Sequence, residues 1–371
     1  MSVNISKNVK NKKAPSQDDY QSVCGIDALY FYIKVDKVDY IDFYVKHLLK
    51  GCLESDSFVR LSKDYTNQFT MFRHLSNINE DDEILADEGV SPLQEICRIG
   101  FKNLNEKDNL ESILIQMESN ALQQMTIEDI ILYFTNLLNG FGLVPLKFQI
   151  SRADINTYVF DFPFTWLSYE FFSTKLKKVK PEFNGYELET FYLGSRGNGL
   201  FLRIYNKIKQ LNSRPYSEAN IKEYLIGLKY IQKYNKIPSY EHLWNVELEL
   251  RREQLRSYNI DTLQDFNKNV NSLFKVIFFK SIRLLTEKKQ MTQNDNRIPT
   301  HSVWEHIISN YSYNSFPALV LDKNKLKEYK RDKIWLKNRL VEFLEEPLNK
   351  DYYLREQVNN LLEYLKRYEG V

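Results

Sequence analysis

Residues 191–207 read FYLGSRGNGLFLRIYNK, and this stretch carries the clearest indication of the fold. Aromatic and β-branched residues, which favour strands, flank a short segment that is rich in glycine. Its glycines are Gly194, Gly197 and Gly199. Because glycine adopts the left-handed backbone conformations that tight turns need, the stretch predicts two antiparallel strands joined by a turn.

The second half of this stretch alternates between polar or aromatic and aliphatic side chains. Successive side chains of a strand point to opposite faces of a sheet. One face would carry Phe201, Arg203 and Tyr205. The other face would carry Leu200, Leu202 and Ile204. We therefore expect the aliphatic face to pack against helices, and the other face to present a tyrosine beside an arginine.

Two further stretches predict strands of the same kind. Residues 243–252, LWNVELELRR, alternate strictly, and residues 145–156, PLKFQISRADIN, are also typical of a strand. In the first strand the polar face would carry Glu247, Glu249 and Arg251. Its aliphatic face would carry Val246, Leu248 and Leu250. In the second strand Arg152 and Asp154 would share a face.

The rest of the chain predicts a mixture of strands and helices. Further strands are predicted at residues 25–37 and 110–118. Helices are predicted at residues 39–53, 126–139, 262–287, 326–345 and 355–368. Thr126 is a candidate N-cap, with Asp129 three residues on. Regular strand–helix–strand units are too few for a doubly wound fold. The predicted class is α+β, with a central antiparallel sheet, flanking helices and a C-terminal helical region.

The domain organisation follows from these elements. We expect a flexible tail over residues 1–21, a core over residues 22–310 and C-terminal helices over residues 311–371. The core could comprise two subdomains, residues 22–145 and 146–310.

Composition says little about partners. The chain has 371 residues and 51 Lys and Arg against 49 Asp and Glu, so a net charge of +2 neither supports nor opposes nucleic-acid binding. Cys24, Cys52 and Cys97 are far apart and lack zinc-ligand spacing. No run of about 18 apolar residues is present, and residues 1–19 lack the apolar region of a secretory signal. We expect a cytoplasmic protein without a membrane partner.

The polar faces of the three central strands allow two interpretations. Cross-strand pairs of glutamate and arginine stabilise exposed sheets modestly, and spacing alone favours this structural interpretation. The functional interpretation is a site, because clustered carboxylates prefer hard cations such as Mg²⁺ or Mn²⁺. A neighbouring tyrosine can act as a nucleophile, and arginine or lysine beside it can bind phosphate. Both interpretations remain open on the residue pattern alone.

Four motifs occur in an order that resembles one protein family. They are IDALYFYI at residues 26–33, ISRADIN at residues 150–156, TFYLGSRGNGLFLRIYNK at residues 190–207 and WNVELELR at residues 244–251. Together they resemble the replication initiation factor (Rep_trans) family, which includes rolling-circle plasmid initiators and related relaxases of conjugative elements. The resemblance spans roughly residues 25–306, and residues 194–207 are its most specific part.

The resemblance implies roles for particular residues. The nucleophilic tyrosine of the family falls on Tyr205. Its metal-binding carboxylates would be Asp154, Glu247 and Glu249, which would bind Mg²⁺ or Mn²⁺. Lys207, Arg203 and Arg196 lie in the same motif and would hold the scissile or a neighbouring phosphate.

The chain also departs from the family pattern. Many members have a second acid four residues after the aspartate of the RxD motif, where this chain has Tyr158, with Asp161 three residues later. Asn245 stands where an arginine is expected. The first of these departures leaves the third or fourth metal ligand unassigned.

The implied activity is rolling-circle replication initiation, by nicking and rejoining one DNA strand. Tyr205 would form a 5′-phosphotyrosine and release a 3′-hydroxyl that primes synthesis. The implied partners are origin DNA, single-stranded or in a hairpin, a host helicase and polymerase, and a second copy of the chain. Basic stretches at residues 175–180 and 323–339 offer DNA-binding surface. Within the first, the candidate DNA-binding residues are Lys175, Lys177 and Lys178.

Two alternatives remain. A conjugative relaxase of the same superfamily would use the same chemistry at a transfer origin, and a non-catalytic origin-binding protein would use the same surface without cleavage. Other nickases and recombinases are disfavoured, because the five histidines form no His-x-His pair and no His-x-x-Arg motif. No Walker A motif is present, so unwinding would need a separate helicase.

Overall fold

A computed structural model describes most of the predicted core. It describes residues 20–39, 58–61, 69–76, 94–102, 109–198, 200–213, 216–240, 242–289 and 294–313. The predicted helices at residues 326–345 and 355–368, and all but the first residue of the predicted helix at 39–53, lie outside the described residues. So do residues 1–19 of the expected tail. The last two residues of the expected tail belong to the folded core instead, because Tyr20 is buried and Gln21 begins a strand.

Ten strands of the described residues form one antiparallel sheet. Its spatial order is β2-β3-β4-β5-β1-β6-β11-β10-β9-β8. The bounds are β1 Gln21–Asp39, β2 Phe58–Arg60, β3 Phe69–Ser76, β4 Gln94–Lys102, β5 Asn109–Glu118, β6 Pro145–Phe160, β8 Val179–Asn184, β9 Glu187–Ser195, β10 Leu200–Asn206 and β11 Leu243–Arg251. A second, two-stranded sheet pairs β7 Phe172–Thr174 with β12 Ile282–Leu284. The predicted class, α+β around a central antiparallel sheet, is confirmed.

Helices lie on both faces of the large sheet. Their bounds are α1 Ser119–Gln124, α2 Ile127–Gly140, α3 Lys207–Asn212, α4 Tyr216–Tyr234, α5 Arg252–Ser257, α6 Leu263–Val276 and α7 Ser302–Asn310. The aliphatic faces of β10 and β11 share one buried cluster with Val270 and Phe274 of α6 and Trp304 of α7. The prediction that these faces pack against helices is therefore confirmed. No helix of the described residues is long and apolar enough to cross a membrane.

The opposite face of the sheet is covered only in part. Ile226 and Tyr230 of α4 pack against Tyr158, Phe160 and Leu243 in a second, smaller apolar cluster. Burial on both faces explains why eight successive residues of β11 are buried and only Arg251 at its end is exposed. Helix α4 thus covers one end of the polar face, and among the described residues the other end stays open.

The predicted elements differ from the structure in several places, including β2, β3, β4, β8 and α7, which the sequence analysis does not predict. The helix predicted over residues 262–287 ends at Val276, continues as a π-helical turn and gives way to β12. The aromatic and β-branched residues after Val276 favour the strand that pairs with β7. The strand predicted to end at residue 156 runs on to Phe160, because β1 and β11 pair with it on both sides. Helix α4 is not predicted, because its apolar residues form only a weak stripe.

The capping of α2 is confirmed in detail. The amide of Asp129 donates to Thr126 Oγ1 at 3.1 Å, and the amide of Thr126 donates to Asp129 Oδ2 at 2.9 Å. Each bond satisfies a backbone donor that the first turn of a helix leaves without a partner. The capping box holds the helix that connects β5 to β6.

We expect Thr126→Ala to lower the free energy of unfolding by about 1 kcal/mol, measured by chemical denaturation. Thr135→Ala in the same helix is the matched control, because the Thr135 hydroxyl only donates to the carbonyl of Ile131 at 2.7 Å. Alanine favours the helix interior, so this control should cost little. Equal losses in both variants would contradict the role of the cap.

Candidate active site

The polar face of the central strands is built in rows, because β11 pairs in register with both β6 and β10. Asn245 lies opposite Tyr158 and Tyr205, and the next row joins Glu247 to Asn156 and Arg203. The third row joins Glu249, Asp154 and Phe201. Arg251 and Arg152 form a fourth row, which extends to Tyr30 of β1. Alternation along each strand therefore brings the predicted site residues of these three strands onto one surface.

The hydroxyl of Tyr205 lies at the centre of a hydrogen-bonded cluster. It donates to Glu247 Oε2 at 3.0 Å and accepts from Asn245 Nδ2 at 2.7 Å. Lys207 Nζ donates to the Tyr205 hydroxyl oxygen at 3.5 Å. Asn156 Nδ2 donates to Asn245 Oδ1 at 2.9 Å and orients that amide. The tyrosine therefore has a carboxylate that can accept its proton and two donors that can stabilise its oxygen.

Lys207 owes its position to the junction of a strand and a helix. It is the first residue of α3, and Asn206 caps that helix by accepting from the amide of Lys209 at 3.1 Å. The helical turn directs Lys207 back over the sheet, so its Nζ lies 5.5 Å from the ring centre of Tyr205 and 5.6 Å from that of Tyr158. Only 2% of Lys207 is exposed. A buried ammonium beside a phenol favours negative charge on the phenol oxygen.

Arginines neutralise the three buried carboxylates. Arg203 pairs with both Asp154, at 3.2 Å, and Glu247. Arg152 donates to Asp154 Oδ1 at 2.8 Å and also reaches Glu249 at 3.3 Å. The result is one connected network, since each arginine bridges two acids. Unpaired charges at these depths would be costly.

Glu249 has the largest number of arginine partners. Besides Arg152, it accepts from Arg251 Nε at 2.9 Å and Arg196 Nε at 3.1 Å. Burial alone would raise the pKa of Glu249, but these three guanidinium groups hold that pKa below its usual value. Glu249 is therefore ionised at neutral pH and acts as an anchor for arginines.

The pKa values of Glu247 and Asp154 are perturbed in the opposite direction. Burial raises the pKa of Glu247 to about 8, although Arg203 opposes the shift. Burial also raises the pKa of Asp154 against the effect of Arg152 and Arg203. Burial and the charge of Glu247 raise the pKa of Tyr205 well above its usual value. A free phenolate is therefore disfavoured, and any attack by Tyr205 would need a base that removes its proton.

Asp27 is a site residue that sequence analysis did not identify. It lies at a β-bulge, where the register between β1 and β6 shifts between Ile26 and Ala28. Tyr158 Oη donates to Asp27 Oδ1 at 3.0 Å, and Lys222 Nζ of α4 donates to the same oxygen at 2.8 Å. The bulge re-aims this side chain, which simple alternation cannot predict. The residue sits beside Tyr158, the position where the family pattern expects an acid.

The donor set for a metal is present, but arginines engage it. Asp154, Glu247 and Glu249 offer the oxygen ligands that Mg²⁺ and Mn²⁺ prefer. Each of the three is bound by at least one guanidinium. Within the described residues, no three His, Cys, Asp or Glu side chains are placed to hold a metal ion. This arrangement does not fit a divalent ion unless Arg203 releases Asp154 and Glu247, so the metal stays a prediction.

The remaining candidate residues lie away from Tyr205. Arg196 belongs to the short 3-10 turn between β9 and β10 and joins the network through Glu249. The predicted DNA-binding lysines are exposed on the segment between β7 and β8: Lys175, Lys177 and Lys178. The amide of Gly194 donates to the carbonyl of Lys178 at 2.8 Å, which places this segment beside the same turn. The basic stretch at residues 323–339 lies outside the described residues.

Comparisons with known proteins find likenesses among solved structures. No family model matches the chain, and no curated protein matches it. The fold is similar to that of a solved structure, "Structure of Rolling Circle Replication Initiator Protein from Geobacillus stearothermophilus". That likeness has a TM-score of 0.47 at 14% identity and covers 79% of this chain and 96% of the other. Likeness at this level assigns no role to any residue.

The pair of Asp27 and Lys222 predicts a pH dependence of stability. Burial would raise the pKa of Asp27, but Lys222 and Lys207 hold it well below the ordinary value of 3.8. A lowered pKa contributes stability above the ordinary value and loses it as the pH falls below that value. We expect Asp27→Asn to be less stable than the wild type at pH 7 and to lose less stability between pH 7 and about pH 3.

Denaturant unfolding at the two pH values measures this effect. The variant Lys222→Gln, which removes the partner, should reduce the same pH dependence. An unchanged pH dependence in both variants would show that Asp27 is not held ionised by its lysines.

Proposed function

We propose that the chain is a DNA-nicking and strand-rejoining enzyme that initiates rolling-circle replication, with Tyr205 as its nucleophile. The observation that supports this most strongly is the environment of the Tyr205 hydroxyl. The buried carboxylate of Glu247 accepts a hydrogen bond from this hydroxyl, and the buried Lys207 ammonium donates to the hydroxyl oxygen. A tyrosine with a structural role would need a hydrogen-bond partner, but not a buried cation at the same atom.

The chemistry follows from these contacts. Tyr205 Oη attacks the phosphorus of one phosphodiester while its proton moves to Glu247 Oε2, which is 3.0 Å away. Glu247 accepts this proton in its ionised form, which becomes more populated as the pH rises towards its pKa of about 8. The new bond joins the phenol oxygen to phosphorus, and the bond that breaks joins phosphorus to the 3′ oxygen. The strand leaves with a 3′-hydroxyl once this oxygen takes a proton from water. Because the raised pKa of Tyr205 disfavours a free phenolate, proton transfer accompanies attack.

Positive charge around the reacting oxygen suits a phosphodiester. Lys207 and Arg203 would neutralise the charge that develops on the phosphoryl oxygens as the bonds change. The phosphotyrosine keeps the energy of the broken bond, so the reverse reaction rejoins the strand. The substrate is single-stranded or hairpin DNA at a plasmid or mobile-element origin. Extension and unwinding need a host polymerase and helicase, and we expect a homodimer acting in the cytoplasm.

A metal would act in addition to these side chains. Mg²⁺ or Mn²⁺ on Asp154 and Glu247 would neutralise phosphoryl charge when bound. Arg203 already supplies positive charge to both acids. Nicking should therefore be assayed with Mg²⁺, with Mn²⁺ and with EDTA. Strict metal dependence would show that Arg203 gives way to the ion.

A non-catalytic origin-binding protein is the second candidate. The observation in its favour is that arginines pair every buried carboxylate of the face, as a purely structural network would require. A conjugative relaxase would share the chemistry of the main proposal and differ in the DNA that it recognises.

We expect the purified protein to nick a supercoiled plasmid that carries its origin and to remain attached to the 5′ end. Tyr205→Phe should abolish both nicking and attachment, because it removes the attacking oxygen. Tyr192→Phe is the matched control, since Tyr192 lies on the neighbouring strand and its hydroxyl donates to Glu182 instead. Gel mobility of the plasmid and protein labelling of the DNA end measure the two outcomes. Attachment that survives in Tyr205→Phe would identify another nucleophile.

We expect Glu247→Gln to slow single-turnover nicking by about 10²-fold or more, because an amide cannot accept the proton of Tyr205. Binding of uncleaved origin DNA should change much less. Glu182→Gln, an exposed acid of β8, serves as the control. A Glu247→Gln enzyme that nicks at the wild-type rate would remove Glu247 from the role of base.

A further inference from the structure

A cavity of about 440 Å³ opens at the end of the polar face that α4 leaves uncovered. Its charged and aromatic lining comprises Tyr30, Arg152, Arg196, Arg251, Arg252 and Glu253. Four arginines and one glutamate give this lining an excess of positive charge. None of the proposed chemistry at Tyr205 uses this cavity.

Acidic side chains bind the four arginines of the cavity. Arg152, Arg196 and Arg251 all bind Glu249, which is fully buried. Arg252 donates to the carbonyl of Ile150 at 2.7 Å and pairs with Asp261. Through Arg152 this cluster joins the network of Asp154, Glu247 and Glu249, in which four arginines face three acids, so the network is short of negative charge. A bound anion would supply that charge.

Two of these arginines retain free hydrogen-bond donors. Arg196 and Arg251 each bind Glu249 through Nε, and neither has a hydrogen-bond partner for its Nη nitrogens among the described residues. Aromatic rings support the guanidinium groups, since Arg196 lies 5.5 Å from the ring centre of Phe201 and Arg152 lies 4.7 Å from that of Tyr30. Planar guanidinium groups held in this way bind phosphate with little loss of side-chain entropy.

The cavity is too far from Tyr205 to hold the phosphodiester that this residue attacks. Along β11, Asn245 pairs with Tyr205, and Arg251 is six residues further on. At about 3.3 Å per residue the separation is roughly 20 Å to Arg251, and roughly 13 Å to Glu249, which Arg196 binds. These distances correspond to about four to six nucleotides of a stacked strand, and to fewer in a stretched one.

We propose that the arginine-lined cavity is a second phosphate-binding subsite, which holds the backbone of the same single strand several nucleotides from the bond attacked by Tyr205. The proposal rests on the proposed function for the identity of the strand. The face between the two points then serves as a track, with Arg203 and Phe201 between the nucleophile and the cavity. A strand held at both points is aligned for attack, because the second contact limits its freedom to slide.

The test measures binding without cleavage. Fluorescence anisotropy would follow a labelled oligothymidylate of about 20 nucleotides on the Tyr205→Phe protein at several salt concentrations. We expect Arg196→Gln and Arg251→Gln each to weaken binding at least about fivefold near 0.1 M salt. Each should also reduce the slope of log K against log salt by about 0.7, the contribution of one single-strand phosphate contact.

The control is Arg297→Gln, an exposed arginine outside the cavity, which should bind like the parent protein. Each cavity variant leaves Glu249 two arginine partners, and thermal unfolding checks that the fold persists. Arg196→Lys and Arg251→Lys, which keep the charge, should keep the salt slope.

Three results would overturn the subsite: wild-type affinity and slope in both glutamine variants, an equal loss in Arg297→Gln, or no binding of the oligonucleotide by the parent protein. A titration with inorganic phosphate separates a strand from a free anion. Phosphate binding that is lost in the variants while DNA affinity is unchanged would assign the cavity to a free anion and overturn the proposal. Failure of the nicking assay with intact, arginine-dependent DNA binding would refute only the proposed activity.

Discussion

Burial of carboxylates on the middle strand is the constraint from which the site follows. Glu247 and Glu249 lie on β11 between two paired strands, and 2% and 0% of these residues are exposed. A buried carboxylate needs a positive partner, and the neighbouring strands supply Arg152 and Arg203. The same pairing holds the Tyr205 hydroxyl against Glu247. A shift in the pairing register of β11 would therefore disrupt the core packing and the polar network together.

The two acids of β11 differ in pKa because their surroundings differ. Glu249 lies at the open end of the face with three arginines, whereas Glu247 lies towards the end that α4 covers and has a raised pKa. A carboxylate with a high proton affinity suits a base, and one that is always ionised suits an anchor. In the proposed function, one strand would thus separate proton transfer at Glu247 from the positioning of arginines by Glu249, two residues further on.

The sequence was sufficient where side-chain alternation decides the outcome. Strict alternation at residues 200–206 and 243–251 predicted which side chains share a face, and the pairing of β6, β10 and β11 confirms it. The roles of Tyr205, Asp154, Glu247 and Glu249 came from the resemblance and stay predictions. Pattern alone could not rank them, because the same residues could form ordinary cross-strand salt bridges.

The sequence was insufficient where the third dimension decides the outcome. Asp27 reaches the site through a bulge, and Lys222 reaches it from α4, 195 residues further along the chain. No short-range spacing connects them. The arginine-lined cavity likewise combines residues of β1, β6, β11 and the turn after β9, which only the sheet order brings together.

The 3-10 turn at Arg196–Asn198 and the strand that follows it differ in how they tolerate changes of length. An insertion in the turn would lengthen a surface loop and shift Arg196, while the pairing of β10 could persist. A deletion of one residue within β10 would place Ile204 on the polar face and send Tyr205 into the apolar core. Over evolutionary time, the position of Arg196 is therefore open to gradual change, whereas the position of the Tyr205 phenol is an all-or-none property of the chain.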